Sequence, residues 1–173
     1  MRMRAITLWE PWASLIANGH KTFETRGHAI PQHMIGKRVA IRAAKRLAHP
    51  THLDWYKVEL GAQFHVTNFR YFDPHSIRDK LLYGHILATA ILMEDLLVPE
   101  DGDYHRLGRD RRAEFGIRLT TDEKYGDFSA GRHLWRLEDV QRLDEPIPAR
   151  GFQGFWEVDQ ALVPLLQQQG EAA

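Results

Sequence analysis

The sequence predicts a mainly β fold with peripheral helices, an α+β domain built on a small, largely antiparallel β-barrel. Three observations carry this expectation. Short runs of strand length recur between turn residues all along the chain. The longest apolar run, Ile86-Leu87-Ala88-Thr89-Ala90-Ile91-Leu92-Met93, sits between Gly84 and Pro99 and has the composition of a central strand buried on both faces. The helical patterns are short and peripheral. With 173 residues, 43% of them hydrophobic and 27% charged, the chain is expected to form one domain over 1–173 with a core large enough to stand without staples.

Taken in order, Arg4 to Trp9 reads as a first strand. Pro11 suits the first turn of a helix, with Trp12, Leu15 and Ile16 at helical spacing and Gly19 as its C-terminal cap. Lys21 to Arg26 reads as a strand, Gly27 to Gly36 as a loop, and Arg38 to Ala44 alternates as a further strand. His49 to Ala62 and Pro74 to Leu82 are helical or irregular, and Phe64 to Phe72 is ambiguous. Gly84 to Val98 holds the central strand. Glu100 to Arg118 turns strongly charged and reads as a surface insertion, followed by strand character from His133 to Leu143. Asp144-Glu145-Pro146-Ile147-Pro148 reads as a rigid connector, Gly151 to Val158 as a last aromatic turn, and Asp159 as the cap of a short C-terminal helix whose regularity Pro164 limits.

Net charge is +0 with 23 basic and 23 acidic residues, so no whole-protein field draws the chain to nucleic acid, and any such site must be a local basic patch. The absence of cysteine excludes disulfides, thiolate metal sites and a cysteine nucleophile. No run reaches the roughly 18 apolar residues of a membrane span, and nothing at the N-terminus reads as a signal peptide, so a cytoplasmic location is the expectation. The ten histidines fall in no metal-ligand spacing on a confident helix, and neither a metal nor a cofactor is expected.

The most informative stretch is Gly19-His20-Lys21-Thr22-Phe23-Glu24-Thr25-Arg26. Three charges in six residues are unusual for a strand that leans toward burial, because an unpaired charge is costly to desolvate. Either they satisfy one another or they face a polar ligand. In an unbroken strand Lys21, Phe23 and Thr25 point one way and Thr22, Glu24 and Arg26 the other, so Lys21 and Glu24 converge only if the backbone turns or bulges near Gly19. Glu24 and Arg26 share a face, which suits a structural ion pair and a ligand contact equally.

This motif, with the spacing GxKxxExR, and the preceding Trp9-Glu10-Pro11-Trp12-Ala13-Ser14-Leu15 resemble the ASCH domain of the PUA-like superfamily. Tyr125 to Trp135 and Pro146 to Trp156 resemble family members too, in the same order. The resemblance spans most of the chain except Thr51 to Tyr83 and Glu100 to Arg118. It implies a PUA-like β-barrel with a cleft beside the first helix, and it implies binding of RNA or a modified nucleoside. In one branch it implies hydrolysis of an N4-acylated cytidine, and in another ribonuclease activity. Lys21 matches the lysine that activates a threonine in the amidohydrolase branch; Glu24 stands where that threonine would be, and a carboxylate can serve as a general base for water.

Around Lys21, Glu24 and Arg26 the candidate ligand residues are Trp9, Glu10, Ser129 and Arg132. Trp9 ends a strand, where an aromatic ring can stack on a base. Glu10 replaces a glutamine common in the family, exchanging an amide for an acceptor-only carboxylate. Ser129 and Arg132 lie in a glycine-containing loop that permits close backbone approach, with Arg132 a phosphate candidate. Trp12 and Trp156 read as core residues. Arg106, Arg109, Arg111 and Arg112 suit a phosphate backbone, although the interleaved Asp103, Asp110 and Glu114 favour a self-neutralised face.

Overall fold

A computed structural model describes residues 2–47, 81–105, 107 and 125–170. The expectations for 49–62, 64–72 and 74–80, and Arg106, Arg109, Arg111 and Arg112 of the charged insertion, lie outside the described residues.

Six strands and two short helices follow one another as β1 (Arg4–Glu10), α1 (Trp12–Ala17), β2 (Phe23–Arg26), a single 3-10 turn (Gln32–Met34), β3 (Arg38–Leu47), β4 (His85–Leu97), β5 (His133–Pro148), β6 (Phe155–Glu157) and α2 (Val163–Gly170). The strands form one sheet in the order β2-β5-β4-β3-β1-β6. The pairing of β1 with β3 is parallel, and the other four pairings are antiparallel.

The antiparallel barrel expected from sequence is therefore corrected. The sheet is mixed and open, with β2 and β6 as unpaired edges among the described residues. The parallel pair follows from connectivity: α1 and β2 intervene between β1 and β3, and a crossover of that length returns the chain in the same direction. The two edges are too short for a closing ladder, with four and three residues. Side chains link the two halves of the sheet instead. Trp135 of β5 stacks flat on Phe155 of β6 at 5.4 Å, and Arg26 of β2 donates from Nη2 to the Thr7 carbonyl of β1 at 3.4 Å.

Alternation along the strands sorts two cores. Ile6, Leu8, Val39, Ile41 and Trp135 pack with Ala13 and Ile16 of α1 on one face. Met3, Ala5, Ala40, Leu143, Ile147 and Trp156 pack with Val163 and Leu166 of α2 on the other. A third cluster gathers Phe23, Leu96, Phe128 and Leu134. β4 is buried on both faces over Ile86 to Ala90, as expected, but its second half exposes Met93 and Leu97.

The expected connector Asp144–Pro148 is instead the end of β5, where Leu143 and Ile147 turn inward and Asp144 and Glu145 outward. Burial of those two apolar side chains against α2 outweighs the punctuation that the prolines signal. The expected strand at Lys21 begins two residues later, at Phe23. Asp159 does not cap α2 directly: it accepts the Ala161 N–H at 3.0 Å in the turn that precedes the helix, and Pro164 falls in the first turn of α2, where its missing N–H costs nothing. No helix among the described residues is long and apolar enough to cross a membrane.

Candidate functional site

The turn after α1 sets the geometry of the site. Gly19 adopts φ +74°, a left-handed conformation suited to glycine at a helix C-terminus. The His20 and Lys21 N–H groups then donate to the Leu15 carbonyl at 2.9 and 3.2 Å. Lys21 thus still belongs to the helix end, and the strict alternation of a strand does not apply to it. Its ammonium folds forward to donate to the Phe23 carbonyl and comes within 3.7 Å of Glu24 Oε2. The convergence of Lys21 and Glu24 that the sequence made conditional on a turn is present.

Glu24 divides its carboxylate between two cations. Oε2 faces Lys21, and Oε1 meets Arg26 Nε at 3.1 Å. Lys21 is 1% exposed and Glu24 8%, while Arg26 is half-buried. Two indole rings border the cluster: Trp12 has the Lys21 ammonium 5.9 Å from its centroid, and Trp135 has the Arg26 guanidinium at 5.5 Å. Trp135 is held in turn by an Nε1–H donated to the His28 carbonyl at 3.0 Å. Phe23, the neighbour of Glu24 in β2, points the other way into the third core cluster, as period-two alternation requires.

The remaining candidates are placed less uniformly. Glu10 is fully buried at the start of α1, where its carboxylate accepts the Ser14 N–H at 3.2 Å and the Ser14 hydroxyl at 2.8 Å. Burial raises its pKa to about 7, against the lowering effect of the Ser14 hydrogen bonds. Its carboxylate caps the helix from inside. Trp9, 45% exposed, carries the Arg46 guanidinium 4.8 Å above its ring at the far end of β1. Ser129 and Arg132 are organised by Asp127, which accepts the Ser129 hydroxyl at 2.6 Å and pairs with Arg132 Nε at 3.2 Å. That loop is tied to β2 by the Asp127 N–H donating to Thr25 Oγ1. Lys21, Glu24 and Arg26 therefore form one cluster, with the Ser129–Arg132 loop along the same strand, whereas Glu10 and Trp9 serve the helix start and the end of β1.

Sequence reasoning missed two charged features. His133 Nδ1 meets Asp95 Oδ2 at 2.8 Å across β4 and β5, a pairing that only sheet register creates. Arg42 is buried within β3, and its signal in the sequence was an arginine inside the apolar run Ala40-Ile41-Arg42-Ala43-Ala44. Among the described residues no group of three or more His, Asp or Glu side chains is placed to hold a metal ion.

No family model and no curated protein matches the sequence. Solved structures do. A Tyr-to-Phe variant of the ASCH protein from Zymomonas mobilis superposes with a TM-score of 0.51 at 15% identity, over 97% of this chain and 98% of that one. A Ser-to-Ala variant of the same protein gives 0.50 at 16% identity, over 96% and 94%. The chain has an ASCH-like fold.

Proposed function

We propose that this ASCH-like domain binds RNA or a modified nucleoside through the cluster of Lys21, Glu24 and Arg26, with Ser129 and Arg132 at its margin. The observation that carries the reading is two buried charges, Lys21 and Glu24, joined by a part-buried Arg26, with the ammonium near the ring of Trp12 and the guanidinium near that of Trp135. A buried ion cluster adds little stability over apolar residues of the same volume, so its presence in a small core points to a use beyond folding. Ammonium, guanidinium and carboxylate together supply donors and acceptors for a base edge, and the flanking indoles supply faces for stacking.

The test is fluorescence anisotropy with a short RNA at two salt concentrations. The Lys21→Ala variant is expected to bind about tenfold more weakly, with a salt dependence shallower by roughly 0.7 in log–log slope if the ammonium meets a phosphate. Unchanged affinity and slope would remove Lys21 from the site.

A second reading is favoured by one contact. The 3.7 Å approach of Lys21 to Glu24 puts a cation beside a general base, the arrangement needed for water attack on an N4-acylated cytidine. Glu24 would take the water proton and the Lys21 ammonium would stabilise the developing oxyanion. Release of cytidine from N4-acetylcytidine, lost in both Lys21→Ala and Glu24→Gln, is the expected outcome of that reading. Turnover that survives in either variant excludes that residue from the mechanism.

A further inference from the structure

On the α2 face of the sheet, away from Lys21, lies a cleft of about 860 Å³ where β3 ends, β4 begins and the chain leaves β5. It is bounded by Arg42, Lys45, His85 and Arg150, and among the described residues none that lines it carries a carboxylate. Its walls are stitched together by backbone. The Gly84 N–H donates to the Ala43 carbonyl at 2.9 Å, and the Ala149 N–H to the Gly84 carbonyl at 3.0 Å.

Arg42 is the centre of this cleft. It is 5% exposed, its Nε donates to the Ala149 carbonyl at 3.0 Å, and among the described residues no carboxylate pairs with it. Burial pushes its guanidinium below the ordinary arginine range. The backbone closes tightly over it: a Cβ placed on Gly151 would stand 2.5 Å from Arg42 Nη1 and 2.6 Å from Cζ. Only glycine lets the chain lie against the guanidinium in this way. Lys45 and Arg150 are exposed at the rim. The Tyr83 carbonyl accepts the Nδ1 proton of His85 at 2.8 Å, so Nε2 becomes a further donor when the ring is protonated.

A second basic cavity provides a contrast. The pocket of about 560 Å³ lined by Arg2, Arg4, Lys37 and Arg38 has two of its three arginines paired, Arg2 with Glu157 and Arg38 with Asp139, and Arg4 is exposed to solvent. Arg42 has no such partner among the described residues, and a buried charge without one is costly unless an anion completes it.

We infer that the Arg42 cleft is a phosphate-binding site, with the Arg42 guanidinium as the buried anchor and Lys45 and Arg150 as rim cations. The ligand chemistry is a phosphoryl oxyanion, which a guanidinium meets with paired N–H donors. It reaches the cleft as a free phosphate or phosphomonoester, or as a phosphodiester of an RNA strand. The site is independent of Lys21, since Arg42 shares its side of β3 with Ala40 of the α2-facing core, whereas Glu24 pairs across β2 and β5 with Trp135 of the α1-facing core.

Calorimetric titration of the full chain with inorganic phosphate at constant ionic strength tests the site. Saturable binding to wild type is expected, weakened at least about tenfold in Arg42→Gln and in Lys45→Glu. Because Lys45 is exposed, its variant keeps the test decisive even if Arg42→Gln does not fold. No saturable phosphate binding, or wild-type affinity in Lys45→Glu and Arg42→Gln, overturns the assignment. A uridine decamer lacking terminal phosphates then separates the sources. Parallel loss of decamer affinity in Lys45→Glu identifies the strand backbone as ligand, and decamer affinity untouched while phosphate binding falls identifies the free or monoester form. Loss of decamer binding in Lys21→Ala alone would support the proposed nucleic-acid site without bearing on this one.

Discussion

The two faces of the sheet handle buried charge in opposite ways. On the α1 side, Lys21 and Arg26 share one carboxylate, so the cluster is partly compensated within six residues of sequence. On the α2 side, Arg42 is buried against the Ala149 carbonyl with no carboxylate among the residues lining its cleft. The compensated cluster stabilises the molecule only while all its members are present. The Arg42 guanidinium, with no carboxylate partner among the described residues, keeps its charge for an anionic ligand. The difference teaches that a charge motif in sequence marks where charges meet, whereas a site that awaits an anion is marked by the counter-charge that is missing.

The largest expected effect breaks the compensated cluster. Glu24→Ala leaves two cations without their shared carboxylate, one of them fully buried, and is expected to cost about 3–5 kcal/mol in urea unfolding. A loss below about 1 kcal/mol would show that the cluster is solvated in solution and that the contrast between the faces is weaker than drawn.

Glu10 sharpens the comparison from the acidic side, since it is buried with Ser14 donors and, among the described residues, no cation partner. Its folded pKa of about 7 lies above its ordinary 4.5, so the native state holds the proton more tightly than the unfolded chain. Stability from this group is therefore fully present below about pH 4.5 and declines as pH rises to about 7, by roughly 3 kcal/mol. Glu10→Gln, which keeps both an acceptor and a donor for Ser14, is expected to flatten that decline. An unchanged pH profile of the unfolding midpoint would assign the titration elsewhere.

Gly151→Ala forces a methyl group against the Arg42 guanidinium and is expected to destabilise by about 1–3 kcal/mol while weakening phosphate binding. The smallest expected effect is the most pointed. Arg42→Met replaces an uncompensated buried cation with an apolar chain of similar length, and thermal unfolding without phosphate is expected to be unchanged or raised by about 1 kcal/mol. A loss of 3 kcal/mol or more would mean that Arg42 has a structural counter-charge after all, and the two faces would then be alike.

Much of the local structure was legible because local rules govern it. The apolar positions of α1, the left-handed Gly19, the turn at Asp159 and the strand character of β1, β3 and β4 all follow from residue type and spacing. So did the grouping of Lys21, Glu24 and Arg26, since those residues lie within one turn and one short strand. Asp144–Pro148 was misread because its prolines signal a break, while the burial that overrides them comes from α2, which begins 15 residues after Pro148. Glu10, a ligand candidate because it stands where the family has glutamine, is buried and gives its carboxylate to Ser14 of α1, a contact that depends on packing.

By itself, then, the sequence determined the element types, the charged motif after the first helix and the fold class, because each depends on contacts a few residues apart. Tertiary structure alone decided that the sheet is open and mixed, that Asp95 meets His133, and that Arg42 lies in a carboxylate-free cleft beside Ala149 and Gly151. Those outcomes depend on register and on which distant segments share a face, and on whether a counter-charge arrives from another strand. Spacing along the chain carries no record of such distances.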